Sequence, residues 1–204
     1  MSDTMRSLNF SAVLCLVCSL LLTAATPLGI SAAAQMNETV GSLLNQAGYS
    51  LSTLFLGRYP GGIGATSAAL CLAGAIFLVA TRIASHRIIL GGIAGVLATG
   101  YLLNLLATPY SLPFLSINPI YHLVMGGFAF AVAFIATEPV TAPDTDAARW
   151  VYGFLIGALT VVIRVFNPAF PEGVMLAVLF MNVFAPLMDQ MVVMARMKKR
   201  IPNV

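Results

Sequence analysis

Ile163-Arg164-Val165-Phe166-Asn167-Pro168-Ala169-Phe170-Pro171-Glu172-Gly173 joins two strongly apolar runs, and its reading decides how the chain is built. Proline removes a backbone donor and glycine frees the dihedrals, so one helix must end near Pro168 and the next begin near Gly173. Arg164 and Glu172 stand on opposite sides of the interruption. A cation and an anion at such a break can pair with each other or with an ion. Membrane proteins build ion and cofactor sites from interrupted helices in this way.

The flanks fit that reading. Hydrophobic residues make up 59% of the 204 and charged residues only 8%, whereas soluble domains carry roughly 25% charge. The chain is therefore expected to be an all-α integral membrane protein. Its net charge of +3 is too small, and too clustered at segment ends, to suggest nucleic acid. Cys15, Cys18 and Cys71 are odd in number and lie in apolar runs, which excludes a disulfide framework. Cys15 and Cys18 form C-x-x-C, but no nearby histidine or second cysteine pair completes a metal site.

Outward from the break, five apolar segments are expected, at residues 63–83, 88–107, 119–136, 150–165 and 172–188, each about the length that crosses hydrocarbon. Upstream, residues 35–60 interleave Leu43, Leu44, Tyr49, Leu51, Leu54 and Phe55 with polar residues. They read as an amphipathic interfacial segment, followed by an elbow at Pro60-Gly61-Gly62-Ile63-Gly64. Residues 1–34 carry Arg6, an apolar run from Phe10 and the small-residue stretch Ser31-Ala32-Ala33-Ala34. This pattern fits an N-terminal anchor helix or a signal peptide. The domain reading is thus 1–34, 35–60 and a five-helix membrane domain at 61–204.

Basic residues supply orientation. With a cytoplasmic N-terminus, Arg6, Arg82, Arg87, Arg149, Arg196, Lys198, Lys199 and Arg200 fall inside, against Arg58 and Arg164 outside. That bias predicts a multi-pass protein with a cytoplasmic C-terminus. The pairs Gly91/Gly95, Gly126/Gly127 and Gly153/Gly157 are expected to let helix backbones approach closely in lipid. Asn104 and Asn182 are expected to hydrogen-bond between helices.

Polar groups within this frame are the candidate site. Glu172 lies just past the break, Glu138 follows the third apolar segment, and Asp189 ends the last. With Arg164 they mark a candidate ion path, since hard cations take carboxylate and carbonyl oxygens. The plainer alternatives are an Arg164 that snorkels to the surface, a Glu172 that complements a helix dipole and an interfacial Asp189. His122 reads as an interfacial hydrogen-bonder, and Asp144 and Asp146 as solvated.

An ordered series of motifs resembles the C-terminal half of the NqrB component of the sodium-translocating NADH:quinone reductase, in the NqrB/RnfD family. The series runs through Phe55-Leu56-Gly57, Pro60-Gly61, Arg82-Ile83-Ala84-Ser85 and His122-Leu123-Val124-Met125-Gly126-Gly127. It continues through Ala136-Thr137-Glu138-Pro139-Val140 and the Arg164 break, and ends in Met175-Leu176-Ala177 and Phe184-Ala185-Pro186-Leu187. The resemblance implies a membrane component of a bacterial inner-membrane complex that passes electrons from NADH through flavins to ubiquinone and exports Na+. It implies one five-helix half of an inverted-repeat fold, other Nqr-type subunits as partners, and roles for Glu138 and Asp189 in sodium uptake.

Glu138 replaces the family's usual aspartate, and Ala65 stands where a glutamate is usual. The family's covalent FMN threonine, in Ser-Gly-Ala-Thr, belongs to an upstream region that this chain is expected to lack. Gly64-Ala65-Thr66 matches the motif only in part, making Thr66 the one candidate for flavin. The alternatives are an RnfD-type electron-transport component, a half-repeat transport or channel module without redox activity, and a degenerate half-length component with a structural role. Catalysis is expected only within a complex.

Overall fold

The computed structural model describes residues 26–33, 40–59, 66–107, 115, 117–167 and 172–200. The anchor or signal reading of residues 1–25, the elbow with Ala65, and residues 168–171 of the break lie outside the described residues. The described elements are α1 (Pro27–Ala33), α2 (Val40–Gln46), α3 (Leu51–Leu56), α4 (Ala68–Ala80), α5 (His86–Leu106), α6 (Pro119–Val124), α7 (Phe128–Phe130), α8 (Asp146–Phe166) and α9 (Val174–Arg200). No strand occurs among them.

Three helices, α5, α8 and α9, are long and apolar enough to cross a membrane. At about 1.5 Å per residue, the 21-residue α8 spans roughly 30 Å, the thickness of the hydrocarbon core. Large apolar side chains point outward, among them Leu70, Ile76, Leu105 and Val183, with Leu105 84% exposed. Water would not tolerate so continuous an apolar surface, and lipid does. The chain is an all-α integral membrane protein.

α5 and α8 form the tightest contact. They run parallel, with Ile88 against Gly153 and Val96 against Gly157. A Cβ added at Gly157 would lie 2.2 Å from the Gly92 carbonyl oxygen, and one at Gly95 2.1 Å from that of Phe154. Lipid chains are as apolar as leucine, so burial alone does not join helices there. Close backbone contact through small residues does. α9 returns antiparallel to α8, and the Tyr152 hydroxyl of α8 donates to Asn182 Oδ1 of α9. Asn182 thus bonds between helices as expected, whereas Asn104 of α5 donates to the Ile117 carbonyl at 3.1 Å, in the connection before α6.

The structure differs from the sequence reading at 119–136. That segment is not one helix. α6 starts on the Asn118 cap, whose side chain accepts from the Ile120 amide, with Pro119 in the first turn. It stops at Met125, because Gly126 and Gly127 both take positive φ, 67° and 66°. α7 then leads into a wider π-helical turn at Ala131–Ile135, closed by an Ala136 amide bond to the Ala131 carbonyl. Two adjacent left-handed residues interrupt the helical path, and glycine adopts them without strain. Gly126 and Gly127 therefore break a helix rather than join two.

Two boundaries also move. α8 begins at Asp146, whose charge favours a helix N-terminus, and α9 continues through Pro186 to Arg200. The cationic tail residues suit a C-terminal turn. Upstream, the amphipathic segment forms α2 and α3, whose Val40, Leu44 and Leu54 are fully buried in the same core as α5, α8 and α9. Leu28 and Ser31 of α1 are buried too.

Candidate functional site

The break behaves as its residues dictate at both described edges. α8 ends at Asn167, whose amide closes on the Ile163 carbonyl at 2.8 Å. α9 starts after Gly173, at φ 52°. Arg164 occupies the last turn of α8 and is 1% exposed.

A buried guanidinium must be hydrogen-bonded, since desolvating a charge without partners is costly. Arg164 finds three backbone acceptors. Nη1 donates to the His122 carbonyl at 2.6 Å, Nη2 to the Met125 carbonyl at 2.9 Å, and Nε to the Glu172 carbonyl at 3.3 Å. His122 and Met125 lie at the C-terminal end of α6, where helical carbonyls lack intrahelical partners. One cation therefore ties the end of α6 to both sides of the Asn-Pro break. The fork of five donors in a guanidinium suits this triple role, and an ammonium would not match it.

Sequence and packing fix the arrangement. A Cβ on Gly126 would fall 2.8 Å from Arg164 Nη2 and 2.1 Å from Leu28 Cδ1. The residue is thus held to glycine by backbone angle and by the guanidinium beside it. Nearby, Thr160 donates to the Ile156 carbonyl at 2.7 Å, and a Cβ on Gly173 would meet Ile163. Tyr59, at the end of the upstream segment, senses the same neighbourhood. Burial raises its hydroxyl pKa first, with Cys71 and Glu172 adding to the rise and Arg164 opposing it.

Several expectations for this end change. Arg164 does not snorkel to the surface. It reaches the Glu172 backbone oxygen, while the Glu172 side chain is exposed. The His122 side chain is buried within the protein at 2% exposure, and its backbone carbonyl is one of the acceptors of Arg164.

Asp189 and Glu138 lie at the opposite end of the helices. Asp189 Oδ2 accepts from the Asp144 amide at 2.7 Å. Its Oδ1 accepts from the Thr145 amide at 2.8 Å and the Thr145 hydroxyl at 2.6 Å. The carboxylate thereby pins the loop before α8 to α9. Donors are aimed at both of its oxygens, which leaves few lone pairs for a cation. Glu138 is exposed, and its carbonyl accepts from the Thr141 and Ala142 amides.

Asp146, expected to be merely solvated, pairs with Arg87 of α5, with Arg149 4.0 Å away. Among the described residues, no three His, Cys, Asp or Glu side chains gather as a metal-binding group. Thr66 is half-buried just before Ser67, whose hydroxyl caps α4 at the Leu70 amide. It lines neither the cavity at the α4–α5 turn nor the groove between those two helices.

The Arg164 clamp was half legible. The arginine stood out, but its partners are main-chain atoms, which no residue letter identifies. The signal that could have located them is Gly126-Gly127, a breaker pair within an apolar run.

Comparison with known proteins assigns the chain to a family. The model of the NQR2, RnfD, RnfE family matches residues 8–198. The chain is similar to the B-type subunit (NqrB) of the Na(+)-translocating NADH-quinone reductase of Pseudomonas paraeruginosa, 44% identical over 177 residues, covering 87% of this chain and 42% of that protein. It is similar to the NqrB of Chromohalobacter salexigens, at 49% over 156 residues, covering 76% and 38%. For the NqrB of Klebsiella pneumoniae the figures are 49% over 146 residues, covering 72% and 35%. The chain spans about two fifths of the length of the first of these curated relatives. It belongs to the NQR2, RnfD, RnfE family.

Proposed function

We propose that this chain is an NqrB-type membrane component of a sodium-translocating NADH:quinone reductase, in the inner membrane of a bacterium with its C-terminus in the cytoplasm. The observation that carries the reading is the identity of 44–49% to proteins named as that component, over 72–87% of the chain. Interrupted helices free carbonyl oxygens, and such oxygens are what a hard cation exchanges for its hydration shell; at this break the three that are described are taken by Arg164.

In this reading the chain holds broken helices in register beside an ion path, with other Nqr-type subunits as partners. Arg164 occupies the carbonyls of one break and repels cations there, so the sodium ion passes elsewhere. Glu172 marks one mouth, and Glu138 with Asp189 marks the other. Glu138 is the better-exposed acid of that second pair, and Asp189 acts first as a loop tie. Flavin supplies electron transfer in the complex and ubiquinone accepts the electrons. Thr66 stays the one candidate of this chain for flavin, and no step is assigned to it. The domain division into 1–34, 35–60 and 61–204 and the half of an inverted repeat remain part of this proposal.

The test is to express the tagged chain in its host membrane and purify it. Co-purification with flavin-containing partners and sodium-stimulated quinone reduction that is lost on deleting the chain are the expected results. Purification alone, with membranes from a deletion strain retaining full sodium-stimulated activity, would overturn the assignment.

A further inference from the structure

At the end of the helices opposite the Arg164 clamp, a cavity of about 240 Å³ opens between the α4–α5 turn and the loop leading into α8. Arg82, His86, Arg87 and Arg149 line it, and no aspartate or glutamate does. Two of the arginines have other bonds. Arg87 pairs with Asp146, and Arg149 Nε donates to the Pro143 carbonyl at 2.9 Å. Arg82 has no side-chain hydrogen-bond or ion-pair partner among the described residues, yet its backbone is held at φ 59°. A non-glycine residue in that region costs about 1 kcal/mol or more, and here the strained position sets the guanidinium at the cavity wall. Ser85, at the cap position of α5, makes no side-chain capping bond, so the positive end of a 21-residue helix adds to the field.

The cavity does not stop at the charged layer. Val79 and His86 also line an apolar groove of about 430 Å³ between α4 and α5, walled by Leu72, Ile76, Leu90 and Ile93. A basic chamber thus shares two wall residues, Val79 and His86, with an open apolar groove that runs along α4 and α5. Water-soluble phosphates would use the first part and leave the second empty. An amphiphile with an anionic head and an acyl tail would fill both.

We propose that this composite cavity binds an anionic phospholipid, with its phosphate held by Arg82, Arg87 and the start of α5 and one acyl chain in the α4–α5 groove. The inference needs only that the chain sits in a membrane, so it stands apart from the redox assignment. Bound there, the lipid joins the α4–α5 hairpin to the loop that Asp189 ties to α9.

The experiment uses the full chain, with whatever partners it retains, in nanodiscs of mixed phosphatidylglycerol and phosphatidylcholine. Lipids that survive detergent extraction are quantified by native mass spectrometry. Phosphatidylglycerol should be enriched over phosphatidylcholine. Arg82→Gln should weaken its retention on the order of fivefold, the contribution of one basic side chain near a lipid headgroup. Leu90→Trp should weaken it by filling the groove without altering any charge. Equal retention of the two lipids, or no effect of Arg82→Gln, would overturn the proposal. So would full displacement by glycerol 3-phosphate with Leu90→Trp silent, which would assign the chamber to a soluble phosphate.

Discussion

Gly157→Ala adds one methyl group where α8 crosses α5, and the structure fixes its cost. The new Cβ would lie 2.2 Å from the Gly92 carbonyl oxygen and 2.7 Å from the Val96 amide nitrogen, whereas ordinary contact begins at 3.4 Å. Both obstacles are backbone, so no rotamer change relieves them and the helices must part by more than an ångström. Overpacking costs about 1–3 kcal/mol, and a rigid obstacle puts this site near the top of that range. The better helix propensity of alanine returns about 1 kcal/mol. The net loss is about 2 kcal/mol, or a fall in Tm of about 4–8 °C for a chain of this size. Cys71 is buried on α4, so its reaction with a thiol-reactive dye on heating reports unfolding in a Cys15→Ser, Cys18→Ser background. Gly41→Ala is the control, because nothing lies within 4 Å of its added Cβ, and it should leave Tm unchanged or raise it. A Gly157→Ala protein that melts with the parent would show that the two backbones do not touch, and the packing account would fail.

Three further outcomes follow from particular contacts. Gly126→Ala should destabilise more than Gly157→Ala, since it combines a positive φ with a clash against Leu28 and Arg164; the same thermal assay reads it. Asp189→Asn should cost about 1–2 kcal/mol, by replacing charge-assisted bonds to Asp144 and Thr145 with neutral ones. It should speed proteolysis in the 139–145 loop, and unchanged protection would show that the carboxylate does not hold that loop. Asn182→Val should lower stability by about 0.6 kcal/mol, the usual worth of a hydrogen bond between membrane helices. A loss several times larger would mean that the Tyr152 contact organises more than one helix pair.

Composition and periodicity revealed the class and most crossings because lipid imposes a strict demand, apolar residues for a full helical length. The glycines at 91, 95, 153 and 157 were legible for the same reason, since close approach in lipid requires small side chains. What stayed hidden were contacts in which one partner is main chain or distant in sequence. Asp189 met backbone amides more than forty positions away, and Arg164 met carbonyls of His122 and Met125. Gly126 and Gly127 were visible but ambiguous, because the same residue serves close packing and positive φ. Asp146 looked solvated until the parallel packing of α5 and α8 brought Arg87 beside it.

The central claim is that a buried arginine holds two helix interruptions together, and the sign of one substitution tests it. Arg164→Met replaces a charge with an apolar side chain of similar length. If Arg164 faced lipid or water, this exchange would be neutral or stabilising in a membrane. In the clamp it leaves the His122, Met125 and Glu172 carbonyls without that donor, at about 1–3 kcal/mol for each buried group left unsatisfied. The unfolding midpoint of Arg164→Met should therefore fall by far more than that of Gly157→Ala, with Arg164→Lys between it and the parent. A midpoint at or above the parent value would contradict the account.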